Sequence, residues 1–228
     1  GDMYKLGNHY LLCGDATNED NVKKLIQDNQ IDLVYTDPPY NVEYTGGQIS
    51  SGVFGKNKRE MILNDDVDIY KDLFYILSKF ADSACYIWFA GTKGASVYKY
   101  ADLYGDIHSL IIWVKDGGYG AINANYKQKH EPLLYWKPKG KKLNFKGATN
   151  ETTIWEQKRE RKNKLHPTQK PIELAKKAIL NHECKTVLDL FGGSGSTLIA
   201  AEQTKKQCFM MELDPAYCDV IIERWENL

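Results

Sequence analysis

Asp37-Pro38-Pro39-Tyr40 places a carboxylate, two imino acids and an aromatic ring at the end of the apolar run Ile31-Asp-Leu-Val-Tyr-Thr36. Proline has no backbone N–H and restricts the residue before it, so the turn is held extended. The Asp37 carboxylate, the Pro38 carbonyl and the Tyr40 face can then project together beyond a strand. Such a tip suits a flat ring bearing an amine: two acceptors for its N–H groups and a surface to stack on. Taken alone, the tetrapeptide could equally end a strand with Tyr40 packed nearby.

A second constellation lies far downstream. Thr186-Val-Leu-Asp-Leu-Phe-Gly-Gly-Ser-Gly-Ser-Thr197 reads as a buried strand, a glycine-rich turn and the start of a helix through Leu198-Ile-Ala-Ala-Glu-Gln. Glycines let a backbone close tightly around a ligand, and the following helix start offers free N–H groups. Seventeen residues after Gly195, the run Cys208-Phe-Met-Met-Glu-Leu carries Glu212, an acid placed to grip ribose hydroxyls from the neighbouring strand tip. A dinucleotide-binding fold shares this order of strand, glycine turn, helix and acid. Two details argue against it: Leu198 stands where a third small residue belongs, and the turn comes near the C-terminus.

With both motifs in this order, the chain resembles the S-adenosylmethionine-dependent DNA amino-methyltransferases of the group whose catalytic motif precedes the cofactor motif. The resemblance implies a Rossmann-like α/β fold, a doubly wound, mostly parallel seven-stranded sheet with an antiparallel strand, in which the Asp37 and Phe191 strands lie side by side. It assigns catalysis to Asp37, Pro38, Pro39 and Tyr40, and S-adenosylmethionine binding to Asp15, Asp37, Asp189, Phe191, Gly193, Gly195, Ser196 and Glu212. The segment His166-Pro-Thr-Gln-Lys-Pro171 resembles the family's cofactor-side motif, which adds His166, Thr168 and Lys170. Ile112-Trp-Val-Lys115 and His130-Glu-Pro-Leu-Leu-Tyr-Trp136 resemble its later core strands. An aspartate opening the tetrapeptide goes with the adenine N6 amine and a serine with the cytosine N4 amine, so Asp37 favours adenine. Chemistry explains the residue types. A ring amine has its lone pair delocalised, so orientation and electronic help at nitrogen are what a protein can add.

The chain is long enough, at 228 residues with 43% apolar content, for one well-cored domain spanning 1–228. Five cysteines without paired spacing point to reduced, buried thiols in a cytoplasmic protein, not a disulfide framework, and the resemblance implies that it is bacterial or phage-encoded. No convincing ligand cluster surrounds His130-Glu131 or His182 and Cys184, so no metal site is expected. No apolar run reaches membrane-spanning length.

Net charge zero conceals an uneven distribution. From Lys127 to Lys170 there are 13 Lys or Arg against 4 Glu, so that segment carries +9 and the remainder −9. Aromatics interleave with the charge at Tyr135, Trp136, Phe145 and Trp155, which favours a nucleic-acid surface over a solvated connector. Residues 137–165 are read as a short basic insertion acting as a minimal target-recognition region, with DNA contacts at Lys115, Lys141, Lys142, Lys158, Arg159 and Arg161. That region is small for reading a long site in the major groove, so a separate or fused specificity domain is a further expected partner. The abrupt opening at Gly1-Asp-Met fits a catalytic domain excised from a longer protein.

The elements that must position these residues follow from periodicity. Tyr10–Asp15 reads as a strand, then a helix capped by Thr17 with Val22, Leu25 and Ile26 on one face. Asn41–Glu60, rich in Gly and Ser, reads as a mobile loop. A helix is expected over 67–81, a strand over 85–90, a helix over 93–103, a strand over 108–115, a turn over 116–121 and a strand over 132–136. Pro171 reads as the first-turn residue of one helix and Pro215, behind Asp214, as that of the last. Other functions compatible with these motifs are a cytosine-N4 enzyme, a catalytically silent DNA-binding subunit and a nucleotide-dependent oxidoreductase.

Overall fold

A computed structural model describes residues 1–39, 69–119, 125–158 and 169–228. Tyr40, the loop expected over Asn41–Glu60, Arg159, Arg161, His166 and Thr168 lie outside the described residues.

The described residues form one nine-stranded sheet in the order β1-β2-β9-β8-β3-β4-β6-β5-β7. Its strands are β1 Met3–Leu6, β2 His9–Cys13, β3 Ile31–Thr36, β4 Ala81–Trp88, β5 Gly105–Tyr119, β6 Gln128–Pro138, β7 Ile154–Glu156, β8 Thr186–Asp189 and β9 Gln207–Glu212. Strands β2, β9, β8, β3 and β4 are mutually parallel, and β6 runs antiparallel to both β4 and β5. Seven strands from β2 to β5 make the expected sheet with its antiparallel member. The two additional strands are edges: β1 folds back on β2 as a hairpin through Gly7, whose φ is 57°, and short β7 pairs parallel to β5.

Each face of the sheet is covered by helices because the central strands are apolar on both sides. Beneath one face lie α4 Ile172–Leu180, α5 Ser196–Gln203 and α6 Pro215–Glu226, packed with Tyr35, Tyr86, Trp88, Trp113 and Leu133. Over the other lie α1 Glu19–Ile26, α2 Ile69–Phe80 and α3 Gly94–Tyr104, packed with Val34, Cys85, Ile87 and Trp136. No helix among the described residues is long and apolar enough to cross a membrane.

Several boundaries differ from the sequence reading for local reasons. The N-cap of α1 is Asn18, not Thr17: Asn18 Oδ1 accepts from Asp20 N at 2.9 Å, while Thr17 donates both its N–H and its hydroxyl to Asp15 Oδ1. Pro171 is the residue before α4 and not within its first turn; its extended φ,ψ of −57°, 133° delays the helix to Ile172. The turn expected over 116–121 is strand as far as Tyr119, because Tyr119 pairs with Gln128 in an extended β5–β6 hairpin. Pro215 does open α6, behind Asp214, whose carboxylate accepts from Ala216 N at 2.8 Å.

His182 lies fully buried beneath the sheet, its Nε2 3.0 Å from Tyr86 Oη. Burial lowers its pKa from 6.5 to about 4. The folded ring therefore stays neutral where the unfolded one takes up a proton. Its contribution to stability is complete above pH 6.5 and is lost as pH falls through 4. Relative to His182→Gln, the wild type should lose on the order of 3 kcal/mol across that window. Urea unfolding at neutral and acid pH measures the difference, and parallel curves would refute the assignment.

Candidate active site

The two motifs meet because their strands are neighbours. Leu33 lies opposite Val187 and Val34 opposite Leu188 in the parallel β3–β8 pair. After β8 the chain crosses over α5 to β9 on one side, and after β3 it crosses over α2 to β4 on the other. The switch in direction opens a crevice beyond the carboxyl ends of β8 and β3, where ligands of such sheets bind. Buried Thr36 donates its hydroxyl to Asp189 Oδ1 at 2.9 Å and accepts from Leu190 N at 3.2 Å, which fixes one motif against the other.

Asp189 is therefore a bracket under the crevice. It is 3% exposed, its Oδ1 also accepts from Phe191 N at 3.1 Å, and burial raises its pKa to about 7. Beyond it the backbone turns through Gly193 and Gly195, with φ of 50° and 82°, values that favour glycine. A Cβ at Gly193 would meet nothing within 4 Å, so the turn borders open space on that side, whereas one at Gly192 would strike Met210 at 2.8 Å.

Glu212 ends β9 with its carboxylate toward the same turn. Oε2 accepts from Gly193 N at 2.7 Å and Oε1 from Asp214 N at 3.0 Å, and burial raises its pKa. Gly14 N donates to Glu212 O at 2.9 Å, which sets Asp15, at the tip of β2, beside Glu212. Asp15, Glu212, Phe191 and Asp37 thus follow the tips of four adjacent strands, β2, β9, β8 and β3. Pro38 is buried and Asp37 and Pro39 are partly exposed.

Arg224, which the sequence reading passed over, clamps the glycine turn from below. Its Nη1 donates to Ser194 O at 2.8 Å and lies 3.4 Å from Ser196 Oγ, so Ser196 faces this clamp. The Gln169 carboxamide, turned with its oxygen toward the guanidinium, accepts from Nη2 at 2.7 Å. The segment before α4 is thereby tied to the glycine turn.

Lys170, expected on the cofactor side, donates to Asp37 Oδ2 and lies 3.3 Å from Glu131 Oε2. Lys115 was expected to contact DNA, but it is 4% exposed, paired with Glu131 and 5.3 Å from the Trp113 ring centroid. A buried ammonium already matched to a carboxylate is not a phosphate contact. Lys141 and Lys142 are also misplaced for that role. Lys141 pairs with Asp82 at 2.8 Å and Lys142 O accepts from Ser83, both at the start of β4. The crevice lies at the other end of that strand, about 20 Å away at 3.3 Å per residue. Lys158 is exposed just past β7, where Gln157 N reaches Val114 O at the crevice end. Among the described residues no His, Cys, Asp and Glu cluster could hold a metal ion.

Residues 31–223 match the family model described as DNA methylase, the N6/N4 class. The chain belongs to the N6/N4 DNA methylase family. It is 27% identical to the type II methyltransferase M.HpaI of Haemophilus parainfluenzae over 95% of this chain and 74% of that protein. It is 23% identical to the DNA adenine methyltransferase YhdJ of Escherichia coli over 94% of this chain and 81% of that one. Among solved structures it is similar to the M1.HpyAVI complex with S-adenosylmethionine, with TM-score 0.67, 24% identity and coverage of 94% and 98% of the two chains. It is also similar to the cytosine-N4-specific PvuII methyltransferase, with TM-score 0.70, 14% identity and coverage of 99% and 88%. Membership of this S-adenosylmethionine-dependent methyltransferase family displaces the oxidoreductase reading.

Because Asp189 has its pKa raised to about 7, the fold favours its protonated form. That contribution is complete below pH 3.8 and is lost as pH rises through 7. Asp189→Asn keeps an acceptor for Thr36 and Phe191 without the ionisation. Its stability relative to wild type should therefore rise between pH 5 and pH 8 in urea unfolding; a constant difference would count against the buried-acid assignment.

Proposed function

We propose that this chain methylates the N6 amine of an adenine flipped out of DNA, with S-adenosylmethionine as methyl donor. The observation that carries this reading is the pairing of β3 with β8, which sets the Asp37-Pro38 tip beside the glycine turn at one crevice. Residues around that crevice fit the cofactor. Gly193 borders open space, the Glu212 carboxylate faces that turn from the tip of β9, and Asp15 stands at the next strand tip, so Glu212 would hold the ribose and Asp15 the adenine. Bound there, S-adenosylmethionine supplies an activated methyl group on a sulfonium centre.

The protein's own part is orientation. The Asp37 carboxylate and the Pro38 carbonyl accept the two N–H bonds of the target amine. This aims the nitrogen lone pair along one line and favours its pyramidal form. Flipping a base costs a few kcal/mol, and stacking on Tyr40 would return about 1 to 3 kcal/mol. Contacts to the phosphate backbone must therefore supply the rest. Asp37 at the head of the tetrapeptide supports adenine over cytosine.

The surface that supports DNA binding is the β5–β6 hairpin together with Lys158. Strand β6 meets the end of β4 at Leu133 opposite Trp88, so residues 125–130 extend beyond the crevice rim. Tyr126 is 93% exposed, and Lys127, Lys129 and His130 are exposed beside it. Within 137–165, recognition falls to the part that climbs back toward the crevice through β7, not to the Lys141 end.

Nucleoside mass spectrometry of unmethylated DNA incubated with protein and S-adenosylmethionine tests the reaction. N6-methyl-2′-deoxyadenosine should form and be absent with Asp37→Ala. N4-methylcytosine would reassign the base, and no methylated nucleoside despite cofactor binding would reject a DNA substrate for this chain. Binding to duplex DNA across a salt series tests the surface. Lys129→Ala should lower the slope of log K against log salt by about 0.9, the value for one phosphate contact. Lys141→Ala should leave it unchanged, and equal effects from both would dismiss the hairpin.

A further inference from the structure

Four charges of alternating sign run in file from the interior to the catalytic tip: Lys115, Glu131, Lys170 and Asp37. Glu131 pairs with Lys115 on one oxygen and lies 3.3 Å from Lys170 on the other, and Lys170 also donates to Asp37 Oδ2. Lys115 is 4% exposed, Lys170 10% and Glu131 18%, so the file is largely withdrawn from water. Each lysine also sits over an indole, Lys170 4.8 Å from the Trp88 ring centroid and Lys115 5.3 Å from that of Trp113.

Strand geometry explains the alignment. Side chains alternate between faces, so Asp37 follows Leu33 and Tyr35, Glu131 precedes Leu133, and Lys115 follows Ile111 and Trp113, all on the face covered by α4 and α5. Thr36 lies opposite Ile87, Trp88 opposite Leu133 and Trp113 opposite Glu131, so Asp37 is level with Leu133, while Glu131 and Lys115 stand two and four residues further toward the crevice end on β6 and β5. Lys170 reaches them from the segment entering α4. Burial raises the pKa of Glu131, but the ammonium groups of Lys170 and Lys115 more than offset this and hold it below the usual carboxylate range. The Glu131 carboxylate thus stays charged beside the two ammonium groups, and Asp37 supplies the second negative charge of the file.

We propose that Glu131 and Lys170 are positioning residues for the catalytic tip: Lys115 anchors Glu131, Glu131 sets where the Lys170 ammonium stands, and Lys170 fixes the rotation of the Asp37 carboxylate. A carboxylate on a strand tip can turn about its Cβ–Cγ bond, and only some orientations accept an N–H in line with a methyl donor. A lysine held at two carboxylates restricts that rotation. This inference rests on the methyltransferase reading for its kinetic consequence but not for its geometry. It moves Lys170 from the cofactor side of the site to the base side.

Lys170→Met and Lys115→Met keep the unbranched stem without the ammonium, Glu131→Gln keeps the side-chain shape, and all three are tested alone and in pairs. Single-turnover methyl transfer should fall roughly 100-fold in Lys170→Met, the cost of a small misplacement of a reacting group. The dissociation constant for S-adenosylmethionine should stay within about twofold. Glu131→Gln should cost less, and adding it to Lys170→Met should cost nothing further, because it acts through Lys170. A weakened cofactor affinity with an unchanged transfer rate, or losses that multiply in the pair, would overturn the proposal.

A readout independent of activity accompanies this. In urea unfolding, Asp37→Asn and Lys170→Met should be non-additive, and so should Glu131→Gln with Lys170→Met; additivity in both pairs would overturn the proposed coupling. If the wild type transfers no methyl group to DNA, the functional reading fails while these cycles still decide the coupling.

Discussion

One buried hydrogen bond, from Thr36 Oγ1 to Asp189 Oδ1 at 2.9 Å, stands between the two halves of the site. Residues 153 apart in sequence are joined there, at the tips of β3 and β8 before the chain leaves for opposite sides of the sheet. If β3 slid by one residue, Tyr35 and Asp37 would turn to the opposite face and the tip would lose the glycine turn. Hydroxyl and carboxyl are both fully desolvated, and a protonated or shared proton on Asp189 suits that environment better than a bare charge. The acid of the glycine motif thus acts on the architecture of the site.

Withdrawing Lys115, Glu131 and Lys170 from water beside such a core is expensive unless each is matched. The alternation of Lys115, Glu131, Lys170 and Asp37 answers that constraint, since every interior charge faces an opposite one and the lysines also rest on indole faces. The same arrangement explains why the wall of the crevice away from the glycine turn is rich in tryptophan. Trp88 and Trp113 pack edge to face at 6.0 Å and form the floor under the charged file. Stability alone would be served as well by apolar side chains there, so the charged file is better understood through the carboxylate at its end.

Much of the fold was legible because its signals are local. The strand ending at Asp37-Pro38, the strand entering the glycine turn and the Asp214-Pro215 helix start each carry their own punctuation, and each stands within a residue or two of its expected place. The cap of α1 was misread because Thr17 and Asn18 are both good caps, and Asp15 captures Thr17. The edge strands β1 and β7 have four and three residues, too short for a period to register. Nothing local marks Arg224, an exposed-helix residue type whose partners Ser194 and Gln169 are distant in sequence. Glu131 and Lys115 could have been suspected, since each is charged yet in period-two phase with buried apolar residues, Leu133 in one strand and Trp113 in the other.

The basic segment shows how composition misleads when topology is unknown. A net +9 between Lys127 and Lys170 suggests one surface, yet that stretch runs down β6 from the crevice rim, passes beneath the far end of the sheet at 139–146 and climbs back through β7. Its charges are therefore divided between two ends of the molecule about 20 Å apart. Those at the lower end are partly consumed by Asp82 and Asp106, through Lys141 and Lys137. Among the described residues, those at the upper end are either drawn inward to organise Asp37, as Lys170 is, or left exposed on the hairpin and at Lys158. Among the described residues a few lysines contribute to the local field at the crevice rim, and a chain with zero net charge can still present a cationic rim to a polyanion without a uniformly basic face.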